Sequence, residues 1–176
     1  MKTNSLIILL LVLSACAAPK KAVSNYGTFT DERDGHVYKT VKIGNQVWMA
    51  QNLDFKIDDA VFYDNDPANG DAYGMLYSFY AAQSAAPKGW HVPSQAEWNE
   101  MASNCSNPVE RLNVLFVGEH GGGKFRYLNA KATFYTTTHD GTPIVTMYID
   151  KGDTELRTNR QGTAWQLSVR CVKDAE

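Results

Sequence analysis

The feature that most limits what this chain can fold into is a two-residue hydrophobic rhythm, carried in short runs that each end in a turn. Val37, Lys39, Val41 and Ile43 alternate with His36, Tyr38, Thr40 and Lys42, Gly44-Asn45 follows, and Gln46-Val47-Trp48-Met49 comes next. Two such runs around a Gly-Asn pair predict a β-hairpin, and Asp34-Gly35 predicts another turn just before it. In the last third, Thr133 to Thr138 and Ile144 to Ile149 flank His139-Asp140-Gly141. Lys151-Gly152-Asp153 makes a further turn before a weaker strand from Thr154 to Thr158. Trp165, Leu167, Val169 and Cys171 then alternate with Gln166, Ser168 and Arg170. That alternation puts Cys171 on the apolar face.

Between these strands the spacing is helical. Tyr73, Leu76, Tyr77, Tyr80 and Gln83 recur at three and four residues, which predicts a helix from Tyr73 to Ala85 that stops at Pro87-Lys88-Gly89. Ser94-Gln95-Ala96-Glu97 has the form of a capping box, in which the Ser94 hydroxyl accepts from the Glu97 amide and the Glu97 carboxylate reaches back to the Ser94 amide. The helix it opens places Trp98, Met101, Ala102 and Cys105 on one face. Asn107-Pro108-Val109-Glu110 is a second start, with Leu112, Leu115 and Phe116 as its buried side. The glycine-rich run Gly118 to Gly123 reads as an irregular loop. The fold class is therefore α+β, with short helices packed on small antiparallel sheets.

The first residues read differently. Lys2 precedes an unbroken apolar run from Leu6 to Leu13, and Leu13-Ser14-Ala15-Cys16 follows. A spanning helix needs roughly 20 apolar residues, so this shorter run has the layout of an export signal with small residues before the cut. Leu-Ser-Ala-Cys resembles the lipobox of bacterial lipoproteins. The resemblance implies cleavage before Cys16, diacylglycerol on its sulfur and an acylated new amino end. Acyl chains contribute about 0.8 kcal/mol per buried methylene, so two or three give stable anchoring. Ala17, where an aspartate would favour the inner membrane, implies the outer membrane by the same likeness. The expected organisation is a signal peptide over 1–15, a lipidated start and flexible tether over 16–28, and one domain over 29–176. Seventeen basic against nineteen acidic residues give a net charge of −2, and no basic stripe points to nucleic acid.

With Cys16 lipidated, Cys105 and Cys171 remain. Exported proteins keep disulfides, and both positions face inward on the patterns above. A Cys105–Cys171 bridge is expected, stabilising by roughly 4 kcal/mol on the chain-entropy model.

Several segments together resemble one family. They are Asp31 to Gly44, Gln46-Val47-Trp48-Met49-Ala50-Gln51-Asn52-Leu53, Tyr73-Gly74-Met75-Leu76-Tyr77, Gly89-Trp90-His91-Val92-Pro93-Ser94 with Glu97-Trp98, and Ser168 to Asp174. The chain is similar in these to the Fibrobacter succinogenes major paralogous domain family, from about Phe29 to Asp174. The resemblance implies a C-type-lectin-like fold, shared with the formylglycine-generating enzymes, in envelope or secreted proteins with no general activity established. Two departures stand out. The segment from Val61 to Gly70 lacks the extra cysteine pair of many members, and Phe134-Tyr135-Thr136-Thr137-Thr138 replaces Phe-Trp-Ser-Ser-Thr.

Candidate sites are few. Asp64, Asp66, Asn69 and Asp71 make an oxygen-rich loop of the kind calcium takes, although the spacing is not that of an EF-hand. No other cofactor is expected. Tyr135, His139 and Tyr148, on late strands and near turns, form a candidate ligand surface, while Trp48, Trp90, Trp98 and Trp165 read as core. The long loops 58–71 and 118–123 would border a contact surface. The formylglycine-generating likeness would need Cys105 and Cys171 as a copper-binding pair, and neither sits where a thiolate would be activated. His36, His91, His120 and His139 show no helical metal spacing, and there is neither a Gly-x-Ser-x-Gly elbow nor a phosphate loop. The expectation is a non-catalytic, lipid-anchored module of the outer membrane, facing either the periplasm or the cell surface, that binds a polysaccharide or an envelope protein. The alternatives are a structural subunit of an outer-membrane assembly and an oxygen-dependent oxidoreductase.

Overall fold

A computed structural model describes residues 25–175. Two antiparallel-based sheets carry the chain. The first has the order β1-β2-β3-β12, built from β1 (Tyr26–Thr30), β2 (Val37–Ile43), β3 (Gln46–Met49) and β12 (Val172–Asp174). β1 starts inside the segment expected to be tether, pairing Tyr26 with Val41. β2 and β3 form the expected hairpin, with Ile43 opposite Gln46. Gly44 takes φ +58 at the first central position of that two-residue turn, which suits glycine because it has no Cβ.

The second sheet runs β10-β9-β8-β11-β5-β4. In chain order these are β4 (Ala60–Val61), β5 (Leu76–Ser78), β8 (Lys131–Tyr135), β9 (Ile144–Asp150), β10 (Arg157–Gln161) and β11 (Gln166–Ser168). The glycine-rich run is not an irregular loop. It is a hairpin of β6 (Glu119–Gly121) and β7 (Lys124–Arg126), with Gly122 and Gly123 both at positive φ as a type I′ turn requires. β6 also pairs with β11.

Four short helices fill the connections: α1 (Ala68–Tyr73), α2 (Phe79–Ala85), α3 (Gln95–Ser103) and α4 (Pro108–Arg111). The capping box on α3 is present in both directions, and Asn107 caps α4 by accepting from the Glu110 amide. The single helix expected from Tyr73 to Ala85 is divided. Gly74, at φ +73, ends α1 where an added Cβ would lie 2.7 Å from the Leu53 carbonyl, and residues 76–78 then join β11 as a strand. No helix among the described residues is long and apolar enough to cross a membrane. The fold is α+β, as the sequence predicts.

The core lies on both faces of the first sheet. Met49 and Cys171, joined by the bond from the Met49 amide to the Cys171 carbonyl (3.0 Å), belong to a cluster with Tyr38, Tyr77, Trp90 and Leu167. Their chain neighbours Trp48 and Val172, paired across the strands, face a second cluster with Trp98, Met101, Leu112 and Phe134. The side chain of Arg170 is wholly buried. Its guanidinium donates to the carbonyls of Met49 (3.0 Å) and Leu112 (2.7 Å) and to Asn52 Oδ1 (2.7 Å). Burial pushes its pKa down to about 9.

This geometry corrects the disulfide expectation. Cys105 and Cys171 are free thiols. Cys105, just past the end of α3, packs against the cluster that Val172 faces, whereas Cys171, one residue before Val172, belongs to the opposite cluster. Both cysteines face inward as expected, but into different interiors, because successive strand residues face opposite sides.

Candidate functional site

β5 runs directly into α2, and this junction builds the most exposed aromatic surface. Ser78 pairs with Gln166 and then caps α2, its hydroxyl accepting from the Ala81 amide (3.2 Å). Phe79 and Tyr80 therefore start the helix on its outer side. Phe79 lies edge-on to Tyr80 (5.5 Å between ring centroids), to Tyr135 (6.0 Å) and to His139 (5.6 Å). Tyr80 is 72% exposed, and His139 is exposed on the β8–β9 connection.

Of the three residues expected at the ligand surface, only His139 lies here in the open. Tyr135 is wholly buried beneath Phe79, and its hydroxyl donates to the Trp165 carbonyl (2.6 Å). Burial raises the pKa of its phenol well above the usual tyrosine range. Tyr148 is half-buried on β9, with the Lys131 ammonium 4.8 Å from its ring centre. Tyr80 was missed because one continuous helix from Tyr73 puts it in phase with the buried Leu76 and Tyr77. The break at Gly74 resets that phase.

A second candidate is a polar cleft of about 230 Å³ between the segment after β3, the end of α1 and the turn after α4. Its floor is locked. Asn52 donates to the Tyr73 carbonyl (2.9 Å) and to Ser168 Oγ (3.4 Å) while accepting from Arg170. Gln51 Oε1 accepts from the Lys39 amide (2.6 Å). Asp54, Asp71 and His36 also line the cleft. The Asp54 amide donates to the Tyr38 hydroxyl (3.1 Å), yet its carboxylate has no hydrogen-bond partner, and one of its oxygens is buried. Burial raises the Asp54 carboxyl above the ordinary range. The His36 imidazole opposes that shift, and the Asp71 and Asp34 charges reinforce it.

The four residues expected to hold calcium are not brought together. Asp64 sits at φ +55 within a single 3-10 turn over residues 63–65. Asp66 Oδ1 accepts from the Ala68 amide (3.0 Å) and Asn69 donates to the Tyr63 carbonyl (2.8 Å), so both serve the local turn. Asp71 opens instead onto the cleft. Among the described residues, no group of three or more His, Cys, Asp or Glu side chains could hold a metal ion. Cys105 and Cys171, in separate clusters, do not form a copper-binding pair. Cys16 lies outside the described residues.

The two sheets, the short capped helices and the open aromatic and polar faces define a small α+β domain. Residues 41–114 match the model of the Fibrobacter succinogenes major domain, and over that segment the chain is similar to this family. The matched segment holds most of the cleft lining and the Phe79–Tyr80 junction. His36, His139 and the closing motif Ser168 to Asp174 fall outside it. No curated protein and no solved structure matches the chain.

Proposed function

We propose that this protein is a non-catalytic binding module of the cell envelope. Lipid on Cys16 holds it to the outer membrane, and it takes a polysaccharide or a partner protein on the face formed by Phe79, Tyr80 and His139. The observation that carries this reading is Tyr80, a large ring 72% exposed and held edge-on by Phe79. A tyrosine left in water offers rigid apolar area and a hydroxyl at low entropic cost, which is why tyrosine is enriched at contact surfaces. The lectin-like fold implied by the sequence resemblance supports the same reading by analogy.

The test is a glycan array and an envelope pull-down with the full chain and with Tyr80→Ala. Binding by the wild type that is lost in Tyr80→Ala, with an unchanged thermal melt, supports the reading. Equal binding by both proteins refutes the assigned face. A stoichiometric complex that survives mild detergent and is indifferent to Tyr80 would make the protein a structural subunit of an outer-membrane assembly instead. The anchor is tested separately: Cys16→Ser abolishes fatty-acid labelling if Cys16 is the acceptor.

A further inference from the structure

We infer that β1 is a self-association edge, on which a second copy of this chain pairs antiparallel about a two-fold axis at Phe29. A strand at the end of a sheet offers a row of backbone donors and acceptors. Folds protect such rows with charge, proline, bulges, short length or a covering segment. Among the described residues, the other edges carry one of these. β10 bears Arg157 and Arg160, β7 bears Lys124 and Arg126, and β4 is two residues long. β12 is charged at Lys173 and Asp174 and is bridged by His91. β1 (Tyr-Gly-Thr-Phe-Thr) has five residues, no charge, no proline and an unbroken register against β2. The Asn25 carbonyl accepts from the Lys42 amide (2.8 Å), and the Asp31 amide donates to the His36 carbonyl (2.8 Å). Positions 25, 27, 29 and 31 therefore face β2, and Thr28 and Thr30 turn their amides and carbonyls to the open side.

The side chains favour a copy of the same chain over a foreign strand. Pairing Thr28 with Thr30 of the second copy, in both directions, satisfies these outward groups and sets Phe29 opposite its own equivalent. That is a non-hydrogen-bonded position, where facing side chains are closest. Phe29 is half-buried against Trp90 (5.0 Å between ring centroids) and borders a groove of about 570 Å³ with Pro87 and Gly89. The opposing Phe29 covers that apolar floor. The same register brings the exposed Glu32 to Tyr26 of the other copy, whose ring lies 5.2 Å from the Arg111 guanidinium. Two-fold symmetry makes this contact between opposite charges twice. The nine residues from Cys16 to Ser24 span at most about 30 Å, at ~3.3–3.6 Å each. With the lipid anchor proposed above, this reach holds β1 of every copy near one membrane and raises its local concentration. The pairing itself does not depend on the anchor.

The test is sedimentation equilibrium of the full chain in density-matched detergent, across a range of concentrations. The expected result is a monomer–dimer equilibrium. Proline is tolerated on an edge strand where the amide faces outward, so Thr28→Pro should weaken the dimer by roughly tenfold with the thermal melt unchanged. Glu32→Arg and Arg111→Glu should each weaken it by about threefold, and the double variant should restore it, which a foreign strand on β1 could not do. In a Cys105→Ser background, Phe29→Cys should give a disulfide-linked dimer under mild oxidation, and Thr158→Cys on β10 should not. A monomer at every concentration, or a dimer indifferent to Thr28→Pro and to the charge exchange, overturns the inference. Fatty-acid labelling of the same samples separates it from the anchor: a labelled monomer refutes the pairing alone, and an unlabelled dimer refutes the anchor alone.

Discussion

Replacing Gly121 with alanine tests the packing under the β6–β11 junction. The Gly121 backbone is not in the left-handed region, so alanine is not strained by conformation. It is strained by the indole of Trp165. An added Cβ would lie 2.3 Å from Cε3, 2.6 Å from Cδ2 and 2.7 Å from Cζ3. Carbon atoms prefer about 3.5–4.0 Å, so the ring must retreat by roughly 1 Å. Its backbone is held by the Tyr135 hydroxyl bond and by the neighbouring pairing of Gln166 with Ser78 and His120. The Arg126 guanidinium lies 5.5 Å from the ring centre and donates to the Gly121 carbonyl (2.5 Å). Overpacking of this kind costs about 1–3 kcal/mol. In a Trp165→Ala background the clash disappears, and alanine in a strand should gain up to about 1 kcal/mol over glycine. Urea denaturation of the four proteins, followed by circular dichroism, should therefore give a coupling of roughly 1–4 kcal/mol. The reasoning fails if Gly121→Ala stays within about 0.5 kcal/mol of wild type, or if its effect is the same in both backgrounds.

Three other perturbations follow from the same structure. Cys105 is half-exposed, whereas Cys171 is wholly buried with its pKa pushed up to about 12, so alkylation of the native protein should label Cys105 and reach Cys171 only on unfolding; intact mass decides it, and a bridged pair would show no labelling until reduced. The side-chain bond from Arg33 holds the Asp31 carboxyl below its ordinary pKa against the opposing effect of burial. That stability is present above the unfolded value of about 3.9 and is lost as pH falls through the lower folded value, so Asp31→Asn should flatten the decline in melting temperature below about pH 4. Finally, Trp48 Nε1 donates to Gln46 Oε1 (3.0 Å) while the buried Trp98 Nε1 has no partner. Trp48→Phe should therefore cost about 1–2 kcal/mol more than Trp98→Phe by denaturant unfolding.

The strands were legible wherever one face was plainly apolar and a turn was spelled in the residues. The β2–β3 hairpin, the β8–β9 pair and the α3 capping box all appear where the sequence puts them. The helix from Tyr73 to Ala85 was misread because Leu76, Tyr77 and Tyr80 satisfy a helical period locally, whereas the competing signal, Gly74 against the Leu53 carbonyl, is a tertiary contact. The disulfide failed for a related reason. Alternation tells which side of a strand a cysteine takes but not which of two interiors lies there, and here both sides are core. The aromatic face depended on the phase of that same misread helix. The cleft depended on distant segments meeting, around residues 36, 52, 71 and 113, so no local pattern announced it.

The burial of Arg170 has a consequence for how the chain is made. Its three acceptors come from segments up to 121 residues upstream. The strands on either side of it, β11 and β12, sit in the middle of one sheet and at the edge of the other. A polypeptide emerging amino end first thus completes neither sheet until residues 166–174 arrive. Before that moment the interior lacks both its central strand and the guanidinium that ties the segment of Met49 and Asn52 to Leu112. Both sheets therefore wait on one short stretch, β11 to β12, that follows every other strand of the fold.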